Sequence, residues 1–512
     1  MITPPSQSLN PSDAELFIGI VAWIGVDTTA VVDTITEELK EYDYKTYNIH
    51  LTKIIKAFTK KISTKENPVE ERYSSYIKAC NTFREECGAD SMSRLAITDV
   101  QRIRTSKDKD GNDLQKRRAF IINQIKRPEE AELLRKVYGE QYIQISCHAD
   151  EQVRIDNLRK KISKDHFLNP KNPKWDVEAR NLVSIDEEQE DEKYGQRVRK
   201  VFPTSDVIID VNNTKKLKDG IERFLRLLFG DKSITPTQEE YGMELASTAA
   251  IRSSDLSRQV GAAILNKHME IQALGCNEVP KFGGGTYWAN SPVDGRDFKL
   301  GHDSNEQRRH VVLMDLIYRL KEANALSEKL TNCDHKYLEN FIFDRNDKLI
   351  SDSQMMDSLE YGRSVHAEMN AITDAARGGH AIRNCILFTN TFPCHNCAKH
   401  IVSSGIEEVF YLHPYPKSYA KELFCDSIEI NPPTERTCPP IRVGFKQFVG
   451  IQGPIYTRLF TKTKWKTEDG KIKDFVKKDA SYIRTTPIPS YKSTEDFLLY
   501  QINDQLRSKG YL

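Results

Sequence analysis

No apolar run in the 512 residues approaches the ~18 that a membrane-crossing helix needs. No membrane partner is therefore expected. Net charge is nearly absent as well: 75 Lys and Arg against 74 Asp and Glu leave +1. A chain so balanced does not present itself as a general nucleic-acid binder. Cysteine is sparse, ten residues in all, which is too few for a disulfide framework in a chain of this length. Eight of them, Cys80, Cys87, Cys147, Cys276, Cys333, Cys385, Cys425 and Cys438, belong to no Cys-x-x-Cys pair. They read as small buried or incidental residues. The opening "MITPPSQSLNPSDAELF" has neither the basic nor the apolar segment of a signal peptide. A cytoplasmic location is the expectation. No internal repeat or long low-complexity tract stands out.

What is present is a pattern of alternating strands and helices. After a polar, proline-rich stretch at 1–13, "ELFIGIVAWIGV" reads as a buried strand and a glycine turn, and "DTTAVVDTITEELKEY" as a helix capped by Asp27 or Thr28. "AFIINQI", "YIQISCHA" and "SDVIIDV" read as further strands. "RPEEAELLRKVYG", "DEQVRIDNLRKKI" and "KKLKDGIERFLRLLFG" read as helices between and after them. Such alternation predicts a parallel sheet covered on both faces. The charged stretch from about 163 to 200 is expected as an excursion outside the core. "DKSITPTQ" carries turn residues and a proline, which places a domain boundary near 235. Beyond it "EEYGMELASTAAIRS" is helical in pattern, and "QVGAAILNKHMEIQALGCNEVP" is two strands about a turn. Residues 283–360 form a long polar insertion, "EEVFYL" and "GPIYTRLF" are further strands, and "STEDFLLYQINDQLRSKG" is a tail helix.

Chemistry concentrates in "SVHAEMNAI" and "TFPCHNCAKH". Alone, His-x-Glu is a helix surface and Cys-x-x-Cys is a redox pair as readily as anything else. Together, in this order and with Pro393 before the first cysteine, they match the zinc-deaminase signature. His366, Cys394 and Cys397 supply three ligands. Cysteines three apart share one helix face, and a helix N-terminus favours the thiolate that binds metal. Three ligands leave one tetrahedral position open, the pattern of a catalytic rather than a structural site. Glu368 is not needed as a ligand and is placed to carry a proton. Neighbouring His395 and His400 are not assigned to the metal.

The C-terminal half resembles the deoxycytidylate deaminase family of the cytidine deaminase superfamily. The resemblance lies in "RSSDLSRQVGAAI", "GCNEVP", "HAEMNAI", "PCHNCAKHIVSSGIEEVFY" and "GPIYTRLF". With "KRPEEAELLRKVYG", "ADEQVRIDNL" and "NEVPKFGGGTYW", the whole chain resembles the bacterial anti-phage dCTP/dCMP deaminases. These join a P-loop-kinase-like domain to a deaminase domain. The resemblance implies an α/β protein with a kinase-like parallel sheet domain at 14–235 and an α/β/α deaminase domain at 236–512. It implies Zn2+ on His366, Cys394 and Cys397 with Glu368 as proton shuttle. The reaction implied is hydrolytic attack at C4 of the cytosine of dCMP or dCTP with loss of ammonia, depleting dCTP as a defence against phage. Asn277, Arg258 and Lys281 are then expected to meet substrate, with Arg252 and Arg363 as further cations nearby. A homo-oligomer is expected. A polynucleotide deaminase and a nucleotide kinase are the alternatives.

The kinase alternative meets a difficulty in the sequence itself. A P-loop reads G-x-x-x-x-G-K-[ST]. Gly19 and Gly25 are one residue too far apart, and Val26-Asp27 stand where lysine and a hydroxyl should follow. Gly25, Asp27 and Thr28 are expected to meet a regulatory nucleotide at most, without phosphoryl transfer.

Overall fold

The computed structural model describes residues 14–58, 64–106, 117–166, 173–187, 189, 192–343, 353–432, 441–463, 466–483 and 491–511. The polar, proline-rich stretch at 1–13, expected as a loose tail, lies outside them. The chain divides into two compact units, one of residues 1–240 and 449–512, the other of residues 241–448. The first break lies between residues 240 and 241; the sequence places it near 235. The residues from 449 onward return to the first unit instead of completing the second.

The first unit is built on β1 (Leu16–Ala22), β2 (Lys45–His50), β3 (Arg118–Ile125), β4 (Tyr142–His148) and β5 (Val207–Asp210). These lie in the order β2-β3-β1-β4-β5 and every pair is parallel. All seven residues of β1 are buried, as a parallel strand covered on both faces must be. Leu16, Ile18, Ile20 and Ala22 meet Val31, Ile35 and Leu39 of the helix Thr28–Lys40, with Ile221 and Phe224 of the helix Thr214–Leu228 in the same cluster. Phe17, on the opposite face, stacks on Tyr138 of the helix Pro128–Tyr138 at 3.6 Å between ring centres.

Two elements of this unit depart from expectation. Part of the charged stretch 163–200 is the helix Pro173–Glu187, whose Trp175, Ala179, Leu182 and Val183 pack on Ile155, Leu158 and Ile162. Their spacing is that of one helix face. "GPIYTRLF" is a helix, Pro454–Phe460, rather than a strand, with proline at its first turn, where a missing N–H costs nothing. The short β12 (Gly450–Ile451) before it adds antiparallel to β5. The tail helix Tyr491–Ser508 is held in the same unit by Arg104, which bridges Glu15 and Glu495.

The second unit has a mixed sheet. Its strands are β6 (Gly261–Leu265), β7 (Ile271–Cys276), β8 (Ile386–Thr391), β9 (Glu408–His413), β10 (Ile428–Ile430) and β11 (Val443–Gln447). The order is β7-β6-β8-β9-β11-β10, with β6 antiparallel to both neighbours and the remaining pairs parallel. The helix Ala367–Gly378 lies close over β7. A β carbon on Gly275 would run into the carbonyl of Ala367 and the amide of Ala371. Small residues Ala367, Ala371 and Ala375 complete that seam. The described part of the insertion forms helices at Asp297–Leu300, Ser304–Glu322, Glu328–Thr331 and His335–Ile342. Ser304–Glu322 and His335–Ile342 share a small core of Leu313, Met314, Leu338 and Ile342, with Leu330 of Glu328–Thr331 against it. No helix among the described residues is long and apolar enough to cross a membrane.

Candidate active site

Two helix starts make the centre of this site. His366 is the residue before the helix Ala367–Gly378, and Cys394 the residue before His395–Ser403. The first helix is fixed by its close approach to β7 and the second follows β8 directly, so the sheet sets the distance between the two ends. His366 Nδ1 lies 3.2 Å from Cys394 Sγ and 3.4 Å from Cys397 Sγ. The three ligand atoms all fall within 4.8 Å of one another. His395 and His400 are outside this cluster.

Two sulfurs and one imidazole nitrogen are the donor set that zinc takes, and three donors leave the fourth tetrahedral position free. Glu368 is 4% exposed, and its Oε2 accepts a hydrogen bond of 3.3 Å from Cys397 Sγ. Burial first, and the charge on Cys394 next, push its carboxyl up to about 7. The hydrogen bond from Cys397 and the neighbouring His366 pull Cys394 down to about 4. The hydrogen bond with Cys394 in turn raises His366 to about 9. The cluster thus already favours one thiolate, and a dication bound there would take the place of the imidazole proton.

His366, Glu368 and Cys394 line one wall of a cavity of about 270 Å³. Arg258 lines it, with its guanidinium 5.3 Å from the centre of the Tyr415 ring. Asn277 lines it too, but its amide is engaged within the chain: Oδ1 accepts from Val260 N at 2.7 Å and Nδ2 donates to Arg258 O at 2.9 Å. Lys281 stands apart, exposed in a turn where its N–H donates to the Gly285 carbonyl. Arg252 is also turned to structure, stacked on Trp288 at 3.6 Å and donating to the Tyr287 carbonyl. Arg363 lines the cavity in an ion pair with Asp297 at 2.7 Å. Sequence reasoning missed Arg309 and Tyr415, which also line it. Nothing local marks either residue, since both arrive from distant segments.

The residues expected to meet a nucleotide in the first unit, Gly25, Asp27 and Thr28, line a second cavity and also have structural roles. The Asp27 carboxylate accepts from Thr29 N and Ala30 N and so caps the helix Thr28–Lys40. Gly25 has φ +90°, and a β carbon there would lie 2.6 Å from the Arg154 carbonyl oxygen. Thr28 Oγ1 is 3.5 Å from Gln124 Nε2. Gly19 lies within β1, not in a loop.

Residues 236–413 match the family described as the cytidine and deoxycytidylate deaminase zinc-binding region. The deoxycytidylate deaminase of Enterobacteria phage T2 is 43% identical over 54 residues, which cover 10% of this chain and 29% of that protein. ComE operon protein 2 of Bacillus subtilis is 38% identical over 63 residues, 12% of this chain and 33% of that one. The deoxycytidylate deaminase of Mus musculus is 26% identical over 174 residues, 34% of this chain and 63% of that one. The chain therefore spans about a third or less of the first two relatives and under two thirds of the third. Among solved structures, the apo dCMP deaminase of cyanophage S-TIM5 shares 15% identity over 42% of this chain and 100% of its own, at a TM-score of 0.22, too low to equate the folds. The family match and the geometry of His366, Cys394 and Cys397 agree, and the second unit carries a zinc-binding region of the cytidine and deoxycytidylate deaminase type.

Proposed function

We propose that the second unit hydrolyses the exocyclic amine of cytosine in free deoxycytidine nucleotides, dCMP or dCTP. One water is consumed, the C4–N bond breaks, a C4 carbonyl forms and ammonia leaves. The observation that carries this reading is Glu368. It is a buried carboxylate beside the ligands and is not one of them, and a purely structural zinc site has no use for it. His366, Cys394 and Cys397 would hold zinc, which when bound would supply the Lewis acid that makes water nucleophilic near neutral pH. Glu368 accepts the proton of the attacking water and returns it to the departing amine.

A nucleotide substrate brings negative charge, and Arg258 is the cavity-lining arginine in no ion pair among the described residues. We assign it to the substrate phosphate. Asn277 acts by holding Val260 and Arg258 in place. A cavity of about 270 Å³ bordered by Asp297 and Arg309 of the insertion suits one nucleotide better than a polynucleotide strand, which needs an open, stacking groove.

The biological reading goes with the chemistry. An enzyme that removes dCTP or its precursor starves DNA synthesis, which supports a defence against phage carried out in the cytoplasm. A homo-oligomer and a regulatory nucleotide in the first unit belong to the same proposal, as does a kinase-like ancestry for the β2-β3-β1-β4-β5 order. The purified chain, given dCMP, dCTP, CTP and a cytosine-containing single strand, is expected to form uracil in a deoxynucleotide. Uracil formed in the strand alone would overturn the substrate assignment.

A further inference from the structure

The first unit contains a cavity that the deaminase chemistry does not use. It measures about 450 Å³, within the range of small-molecule sites. It opens at the C-terminal ends of β1, β2 and β3 and takes in the segments that follow them. β1 and β3 are neighbours, yet the chain leaves β1 for β2 on one flank and leaves β3 for β4 on the other. In open α/β sheets the crevice at such a reversal is where ligands bind.

Two observations independent of topology point to a ligand here. Asn123 and Gln196 line the cavity, are 2% and 6% exposed, and each has a side-chain oxygen with no hydrogen-bond partner. Buried polar atoms are seldom left unmet, because their desolvation is then not recovered. The β3 backbone is also irregular beside them. Its register against β1 slips between Ile20 and Val21, and Gln124, which lines the cavity too, has φ +80°. That conformation is rare for a residue other than glycine, and such strain gathers at ligand sites.

The charge is equally specific. Lys126 is taken by Asp186 and Arg84 by Glu130. Lys53, Arg72 and Lys161 also line the cavity and are in no ion pair among the described residues. The cavity therefore offers three cations outside ion pairs and two amides with unmet capacity. Asn and Gln amides present a donor and an acceptor side by side, which matches the edge of a nucleobase.

We propose that this cavity binds a nucleoside polyphosphate, with Asn123 and Gln196 on the heterocycle and Lys53, Arg72 and Lys161 on the phosphates. This rests on the reading that the first unit holds a nucleotide; Gly25, Asp27 and Thr28 line the same cavity, and the ligand contacts are assigned to Asn123, Gln196, Lys53, Arg72 and Lys161 beside them. The start of the helix Thr28–Lys40 is not the phosphate seat, because the Asp27 carboxylate already occupies its amides.

The test is equilibrium binding of ATP, GTP and UTP to the full chain, with adenosine and tripolyphosphate as separate arms. One saturable site per chain is expected for at least one nucleotide. Asn123→Leu is expected to weaken it at least ~10-fold, the scale of one good contact. Lys53→Glu with Arg72→Glu is expected to weaken it further and to flatten its salt dependence. Melting temperature and zinc content report whether each variant is folded. The second pair lies at partly or fully exposed positions, so it carries the test if Asn123→Leu does not fold. Failure of every nucleotide to bind the parent at millimolar concentration would overturn both this site and the nucleotide reading of the first unit. Binding that neither variant changes would overturn this site alone. Tripolyphosphate binding as tightly as the nucleotide would overturn the assignment of Asn123 and Gln196.

Discussion

Asn277→Ala separates a scaffolding role from a substrate contact. The Asn277 side chain makes two hydrogen bonds within the chain, accepting from Val260 N at 2.7 Å and donating to Arg258 O at 2.9 Å. Both are partly buried, so water recovers some of the loss. At about 1 kcal/mol net for each bond, truncation costs about 2 kcal/mol. For a unit of this size that is a fall of about 4–8 °C in its melting temperature. The loop at Arg258 is released at the same time, so kcat/KM should fall even with zinc fully bound. Asn277→Asp sharpens the argument. Its carboxylate can still accept from Val260 N but meets the Arg258 carbonyl with an oxygen instead of a donor, so it should be no more stable than the alanine variant. The assay is thermal unfolding of zinc-loaded protein alongside steady-state deamination. If Asn277→Ala melts within a degree of the parent, the two bonds hold nothing and the reasoning is refuted.

Further outcomes follow from the first unit. Arg84 and Glu130 are a pair buried to 2% and 0% exposure at 2.8 Å. Removing one charge by Glu130→Gln should destabilise the unit by about 3–5 kcal/mol, measured by denaturant unfolding. Glu15 is pushed up by burial, but Arg104 and Arg118 outweigh this and hold it below its ordinary 4.5. Its contribution is therefore present above that value and lost as pH falls beneath it. Glu15→Gln should remove that part of the acid dependence of melting as pH falls below the ordinary 4.5. Radiolabelled ATP with nucleoside monophosphates should yield no transferred phosphate, since Val26 stands where a P-loop has its lysine and Asp27 where it has its hydroxyl. Asp27→Ala should cost about 1 kcal/mol as a lost helix cap without creating transfer.

The zinc trio was legible because all its information is local. Two short motifs each sit at a helix start, and the sheet only has to bring the two starts together. The parallel strands were legible for the same kind of reason, β1 being apolar throughout. The helix Pro173–Glu187 was hidden by its charged neighbours, although Trp175, Ala179, Leu182 and Val183 lie on one face. Asp186 on that helix could not be foreseen at all. Its value lies in accepting from Ile24 N and Lys126 Nζ, residues far away in sequence. The return of the chain to the first unit after Phe448 was hidden likewise, since β12 has only two residues. Lys281 shows the opposite failure, a cation next to a motif in sequence that the following turn keeps away from the cavity.

The central claim is that zinc on His366, Cys394 and Cys397 works with Glu368 as the proton carrier. Parent and Glu368→Ala, purified in parallel, should each hold about one zinc per chain, because the substitution removes none of the three ligands. Uracil formation from dCMP or dCTP should fall at least ~10²-fold in the variant, the usual scale for general acid–base catalysis. A parent without zinc, or a variant that deaminates near the parental rate, would contradict the account.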